Sequence, residues 1–362
     1  MSVATGLAIG KEPGPALARE AVTQAMRLAG LKTAGSVLLF LTSEFARDPS
    51  PSLRAAAAAA NCLEVMGCSA PGIFTEQNWV VDAPAAAAMV FGHGACLLSA
   101  SQPRAEQSLL ALAAPNGINM TWLTKPGARF GGVSGDATGQ GPFSVWQHGK
   151  GVPGGHCEAV LEGVRGGVGV SHGVRVLSQP KPVTAAQGYD LVFLDGKPAI
   201  DSLLRAYGAH RTVEDDAPLP MHRLMLGIAD TKAAALHGDY RLTTLVCANE
   251  AERSVTVATR LEPGQLVFWL LREPDAAQRD LEETVLQLQE RLERPPAFGL
   301  LFSCLGRGPY FYNGVDRDLA LMRQMLPGMP LIGFYGNGEI APVNGVNELL
   351  QYSAVLGLFH HV

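Results

Sequence analysis

Apolar residues along this chain fall into two patterns, and the patterns alternate. Ser2 to Ile9 reads as a first strand, and Pro13 to Leu28 then puts Leu17, Ala21, Val22, Ala25 and Leu28 on one helical face, with Gly30 to stop it. Ser36-Val-Leu-Leu-Phe-Leu41 is apolar at consecutive positions, which is the mark of a strand buried on both faces. Ser50-Pro51 opens a helix through the Ala55–Ala60 run, and Glu64 to Ile73 returns as a strand that ends among glycines. Val80 to Ala100 predicts two strands, with a helix over Ala83–Ala88 as the alternative, and Pro103 to Ala114 predicts a short amphipathic helix. Residues 139 to 180 alternate glycine with valine and predict antiparallel hairpins. Tyr189 to Leu194 reads as a strand and Pro198 to Tyr207 as a helix.

The segment Glu214-Asp-Asp-Ala-Pro-Leu-Pro220 is acidic and proline-containing, and it reads as a linker. It sets the expected domains at residues 1–215 and 220–362. Beyond it, strands are predicted at Arg223–Ala229, Arg241–Ala248, Ser254–Arg260 and Leu266–Leu271. Asp275 to Arg294 is the plainest helix, with Leu281, Val285, Leu288 and Leu292 along one face. Ala297–Cys304 predicts a strand, Asp316–Leu326 a helix, Pro330–Tyr335 a strand, and Leu349–Phe359 a closing strand.

The two ends of the chain echo each other. Leu38-Leu-Phe40 precedes a helix and then Gly67; Leu300-Leu-Phe302 precedes a helix and then Gly333. These spans are 27 and 31 positions. The pattern predicts an α/β fold of two domains with mixed sheets, related by a duplicated strand–helix–strand unit. Ligands in such sheets gather beyond the carboxyl ends of the strands.

Composition narrows the function classes. Hydrophobic residues make up 47% of the 362 and charged residues 17%, enough apolar content for a large core. The formal charge of −5, with no Lys/Arg cluster, excludes a nucleic-acid surface as the expectation. The start, Met1 to Ala8, lacks a basic segment ahead of an apolar one, and no apolar run reaches the ~18–20 residues of a membrane span. A soluble cytoplasmic protein, without membrane or nucleic-acid partners, is expected. The six cysteines, at 62, 68, 96, 157, 247 and 304, form no Cys-x-x-Cys pair and predict reduced thiols without metal. No phosphate-cradling glycine motif is present, so no nucleotide cofactor is expected, and Gly67-Cys-Ser-Ala-Pro71 lacks the second glycine of a serine nucleophile turn.

Binding chemistry is better represented. Four glycine-bordered turns carry polar side chains: Cys68 and Ser69; Ser134 and Asp136; Cys304 and Arg307; Tyr335, Asn337 and Glu339. Asp136 and Glu339 are carboxylates that accept from an ammonium, and Arg307 presents a planar fork to a carboxylate. Tyr335 offers a stacking face and Asn337 an amide. An acid and an arginine so placed suit a small zwitterion. The alternatives are that Arg307 and Glu339 are solvated loop charges or one another's partners. Two other functions are open: an enzyme with Cys68 or Cys304 as nucleophile and Glu339 as acid or base, and a scaffold that binds another protein.

Phe302-Ser-Cys-Leu-Gly-Arg-Gly308, followed by Gly333-Phe-Tyr-Gly-Asn-Gly-Glu-Ile-Ala-Pro342, resembles the FIST C-terminal domain, named from F-box and intracellular signal transduction proteins. Val65 to Gly72, Phe130 to Asp136, and Ser171-His-Gly-Val-Arg175 leading to Leu194–Ala199 resemble its N-terminal partner. The resemblance runs from about Ala34 to Phe359. It implies a sensory module of signal transduction that binds a small ligand such as an amino acid, and a signalling protein partner. The family's domains are often fused to signalling domains, and none is expected within these 362 residues beside the two halves.

Overall fold

The computed structural model describes residues 3–92, 94–99, 108–136, 138–210 and 218–362. The chain opens with β1 (Val3–Ile9), α1 (Pro15–Ala29), β2 (Ser36–Thr42), α2 (Ser50–Ala60), β3 (Val65–Ala70), the hairpin β4 (Gly72–Thr75) and β5 (Trp79–Val81), and β6 (Ala85–Phe91). The order then recurs in shortened form as β7 (Cys96–Ser99), β8 (Ser108–Ala113), the single turn α3 (Met120–Leu123), β9 (Ala128–Val133), the hairpin β10 (Val145–Gln147) and β11 (Lys150–Gly151), and β12 (His156–Glu162). A third copy starts with β13 (Val164–Ser171). It is interrupted by β14 (Val174–Val176), β15 (Lys181–Gln187), β16 (Asp190–Leu194), β17 (Lys197–Pro198), α4 (Ala199–Gly208), β18 (Leu224–Ala229), α5 (Lys232–Leu236), β19 (Arg241–Asn249), β20 (Ser254–Val257) and β21 (Leu266–Arg272). It is completed by α6 (Pro274–Arg291), β22 (Phe298–Cys304), α7 (Arg317–Met325), β23 (Leu331–Gly336), the hairpin β24 (Glu339–Val343) and β25 (Val346–Leu350), and β26 (Ala354–His361).

Sheet order shows that these are three copies of one unit. The three six-stranded sheets run β1-β6-β2-β3-β10-β11, β7-β12-β8-β9-β24-β25 and β13-β26-β22-β23-β4-β5. In each, the two inner strands joined by a helical crossover are parallel, and the strands around them are antiparallel. The last two places are filled by a hairpin from another copy. Hairpin β4–β5 leaves the first copy for β23, β24–β25 leaves the third for β9, and β10–β11 leaves the second for β3.

The registers coincide. Leu39 lies opposite Gly67, Ala111 opposite Gly131, and Leu301 opposite Gly333. A Cβ on those glycines would lie 1.7 Å from the Leu39 oxygen, 1.9 Å from that of Ala111 and 1.8 Å from that of Leu301. No side chain fits there, which is the physical reason each strand has glycine at that place. The echo between the first and last copies is therefore part of a threefold repeat. The middle copy escaped the sequence pattern because its strands read Leu109-Leu-Ala-Leu-Ala113 and Arg129-Phe-Gly-Gly-Val133 and its crossover helix is one turn long. The helix expected over Pro103–Ala114 is corrected for its described part. Ser108–Ala113 is the buried strand β8, whose consecutive apolar residues serve both faces of a sheet; residues 100–107 lie outside the described set.

Burial follows the alternation of a strand. Phe40, Met66, Leu110, Leu112, Phe130, Phe302, Ile332 and Phe334 come from all three sheets and share one core. Phe40 meets Phe334 edge-on at 4.9 Å between centroids, and Phe302 meets Phe334 at 5.3 Å. The opposite faces are covered by helices: α1 and α2 over Val37, Leu39 and Val90, and α6 and α7 over Leu301, Leu331 and Leu356. On the sheet of the middle copy α3 supplies Trp122 and Leu123 against Ala111 and Val133.

Two compact units result, Met1–Ser171 with Leu281–Val362, and His172–Asp280. The first holds the threefold repeat. The second is the segment inserted after β13. In it, β15-β16-β20-β19-β18-β21 form an antiparallel ring, closed by pairing of β21 with both β15 and β18. Trp269, Leu203, Leu226 and Val255 are among the residues that fill it. Of the expected linker, residues 211–217 lie outside the described set, and the compact units divide the chain at 171/172 and 280/281. The expected α/β class with mixed sheets is what the structure has.

Equivalence of the three copies has a measurable consequence. Gly67→Ala, Gly131→Ala and Gly333→Ala should each cost at least ~2–3 kcal/mol in denaturant unfolding, since a backbone oxygen must move to admit the methyl. Gly14→Ala, where a Cβ meets nothing within 4 Å, should change stability by no more than about 0.5 kcal/mol. A tolerated alanine at any of the three sites would break the equivalence.

Candidate functional site

Among the described residues, the carboxyl ends of β22 and β23 carry the largest set of buried ionisable groups. Both strands are buried along their whole length and run parallel, so Cys304 lies beside Gly336. A turn of 3-10 helix, Leu305–Arg307, follows β22, and Asp316 caps α7 by accepting from the Leu319 N–H at 2.8 Å. Arg307 is 1% exposed. Its Nε donates to Asp318 Oδ2 at 2.9 Å, its Nη2 reaches Oδ1 at 3.4 Å, and its Nη1 donates to the Ser171 carbonyl at 2.8 Å. The Tyr312 hydroxyl donates to Asp318 Oδ1 at 2.7 Å, and the Tyr335 hydroxyl donates to Asp316 Oδ2. Tyr335 itself packs on Phe74.

Glu339 is fully buried at the start of β24. Oε2 accepts one long hydrogen bond, from the Ser353 N–H at 3.3 Å, and Oε1 has no partner among the described residues. Ser353 also gives its carbonyl to the Cys304 N–H, so Cys304 and Glu339 flank one residue. Burial pushes the Glu339 carboxyl well above the usual range, against the Ser353 hydrogen bond and the Arg307 charge, which both pull it down. Burial likewise raises Asp316 to about 6, helped by the charge of Asp318. One buried guanidinium here sits among three buried carboxyl groups, Asp316, Asp318 and Glu339. Such a set is expensive to desolvate and contributes little net stability.

The other candidates have settings of their own. Ser134 Oγ donates to the Ser69 carbonyl at 2.6 Å, the two hydroxyl oxygens are 3.1 Å apart, and the Ser144 N–H donates to Ser69 Oγ at 3.1 Å. They tie β3 to β9 and to the approach of β10. Cys68 is fully buried, and burial together with Cys157 nearby holds its thiol well above the usual range. Asp136 accepts from the N–H groups of Thr138, Gly139 and Gly141; these outweigh its desolvation and lower its carboxyl. Asn337 donates its N–H to the Val133 carbonyl, and its side chain lies where a Cβ on Gly135 would be. All six cysteines are free thiols.

Asp316, Asp318, Tyr312 and Ser353 were not among the residues singled out from sequence. Only Asp316 left a signal there, as an N-cap ahead of an apolar periodic segment. A Gly-x-Ser-x-Gly spacing does occur, at Gly169-Val-Ser-His-Gly173. It does not make a nucleophile turn: β13 runs on into β14 rather than a helix, and the Ser171 carbonyl is held by Arg307.

Comparison with known proteins now bears on these motifs. Residues 36–197 match the FIST N domain and residues 199–342 the FIST C domain. The chain belongs to the FIST family. FIST domains are associated with sensing in signal transduction. The two family domains meet inside the inserted unit, which spans His172–Asp280. An uncharacterized protein of Mycobacterium bovis, Mb0898c, is 32% identical over 201 residues, 55% of this chain and 52% of its own. An uncharacterized Mycobacterium tuberculosis protein, MT0656, is 31% identical over 210 residues, 58% of this chain and 52% of its own. The chain thus spans about half the length of the curated relatives it matches. Among the described residues, no helix is long and apolar enough to cross a membrane.

The raised Asp316 carboxyl has a definite sign. An acid whose native value is about 6, against 3.8 unfolded, holds its proton in the folded state while the unfolded chain has lost it. Stability from this group is therefore present below the unfolded value and lost as pH rises through the native one. The parent should lose about 2 kcal/mol relative to Asp316→Asn between pH 4 and pH 6. Denaturant titrations of both proteins across that window measure it, and parallel curves would contradict the assignment.

Proposed function

We propose that this chain is a sensory module of signal transduction that binds a small polar metabolite of the amino-acid type at the Arg307–Glu339 end of β22 and β23. The observation that carries the reading is Glu339 Oε1, fully buried and without a hydrogen-bond partner among the described residues. A buried polar atom left without a partner costs ~1–3 kcal/mol, which a ligand group bonded to it would recover. Arg307, gripped by Asp318 and Ser171, holds a fixed positive charge close enough to act on that carboxyl. Membership of a family associated with sensing supports the same function. In this reading the chain passes its ligand state to a signalling protein partner.

The rival, a cysteine nucleophile, gains nothing from Cys68. A catalytic thiol is poised as thiolate by nearby positive charge, and this one is raised by burial. Cys304 is 7% exposed, and its neighbourhood holds both Arg307 and Glu339. Iodoacetamide labelling at neutral pH separates the readings, because only an activated thiol reacts ahead of the unfolded-state rate.

Calorimetry against a panel of amino acids, using the parent and Glu339→Ala, tests the proposal. At least one amino acid should bind the parent in the millimolar-to-micromolar range. Loss of one charge-assisted contact should weaken it by about tenfold to a hundredfold. Cooperative unfolding of the variant shows that the fold survives. Equal binding by both proteins, or no binding by the parent, would sink the proposal.

A further inference from the structure

Resting on that ligand site, the geometry points to the group that Glu339 meets: we infer that its side chain acts as a neutral carboxylic acid, so that Oε1 donates a hydrogen bond to an acceptor on the ligand, a carboxylate or carbonyl oxygen, and not to an ammonium. Three observations carry this. The carboxyl is fully buried, and its hydrogen bonding amounts to a single long N–H from Ser353, where an ionised buried carboxylate needs two or three donors. The buried cation nearby, Arg307, is committed to Asp318 at 2.9 Å and to the Ser171 carbonyl. The remaining carboxyl groups of the cluster add negative charge, since Asp318 is ion-paired with Arg307 and Asp316 accepts from the Leu319 N–H and the Tyr335 hydroxyl. A fourth ionised group would place three anions around one guanidinium, and burial of charge is tolerated only where it is paired.

Among the described residues, the ionisable groups at this end of the sheet include Cys304 from β22, Arg307 from the turn after it, Tyr312, Asp316 and Asp318 from the approach and first turn of α7, Arg323 further along α7, and Tyr335 from β23. Neither tyrosine supplies a charge, as burial raises both hydroxyls. The Arg307 charge acts on Glu339 across this group. An acid O–H with a guanidinium behind it is a recognition pair for a carboxylate. An ammonium there would face the same positive charge. An amino-acid ligand would thus enter with its carboxylate toward Glu339, the reverse of what the residue types alone suggest.

Difference infrared spectroscopy of the parent against Glu339→Gln at pH 7 tests this, with sodium acetate and methylammonium chloride as separate probes for the two ends of an amino acid. The parent should show the carbonyl stretch of a neutral carboxylic acid that the variant lacks. Acetate should shift that band to lower frequency and methylammonium should leave it unmoved. Glutamine keeps a donor at this position, so Glu339→Gln should bind acetate within about threefold of the parent, whereas Glu339→Ala should not. Absence of the band, or its loss on adding methylammonium, overturns the inference. A band that is present and answers to neither probe leaves the neutral acid standing and overturns the ligand site on which it was built.

Discussion

Close approach of two backbones governs this fold. At Gly67, Gly131 and Gly333 the neighbouring parallel strand brings a carbonyl oxygen into the space a Cβ would need. Three strands can then be crossed by helices on one face and still drive Phe40, Phe302 and Phe334 together on the other. The exchanged hairpins complete the arrangement. Since β4–β5, β10–β11 and β24–β25 each finish a sheet begun by another copy, none of the three copies satisfies its own sheet edge. Unpaired edges are a liability, and here each is covered by cyclic donation within one compact unit.

Departures from the threefold pattern mark where chemistry has been placed. At the position of Tyr335 the first copy has Ser69 and the second Val133; the two serines Ser69 and Ser134 are spent on each other and on Ser144. Among the described residues, the third copy carries a buried arginine, three buried carboxyl groups and two buried tyrosines together beyond its parallel strands. It is also the copy that receives the insertion, after Ser171, and Arg307 holds the carbonyl of that residue. A buried ion pair recovers in Coulomb energy roughly what its desolvation costs, so stability does not explain a cluster with a surplus acid. The proposed ligand site would give it a use, because a group kept short of partners by the protein is one that a ligand can complete.

Local features of the chain were legible in its sequence because they depend on near neighbours. Consecutive apolar residues at Val37–Leu41 and Phe298–Phe302 mark strands wet on neither face, and the periodic leucines of α6 mark a helix. Gly67 and Gly333 announced strand ends, and Arg307, Tyr335 and Glu339 stood out as polar groups beside glycines. What local pattern could not reach was the partner of each strand. The hairpins leave their own copy for another, across separations of as many as 200 or more residues, and apolar alternation is the same whichever strand lies alongside. Strand β8 lacked any signal to distinguish it from a helix, since both bury a short apolar run.

Protonation and pairing at the site were likewise decided by tertiary structure. Arg307 reads as a loop charge until Asp318, eleven residues on, is seen folded against it by the turn ahead of α7. Glu339 reads as a solvated carboxylate until Ser353 and the pairing of β24 with β9 and β25 close over it. Residue type determined that an acid and a base stood near two strand ends. Burial sets what a charge on either of them costs, because that cost depends on the surroundings that three dimensions assemble around it.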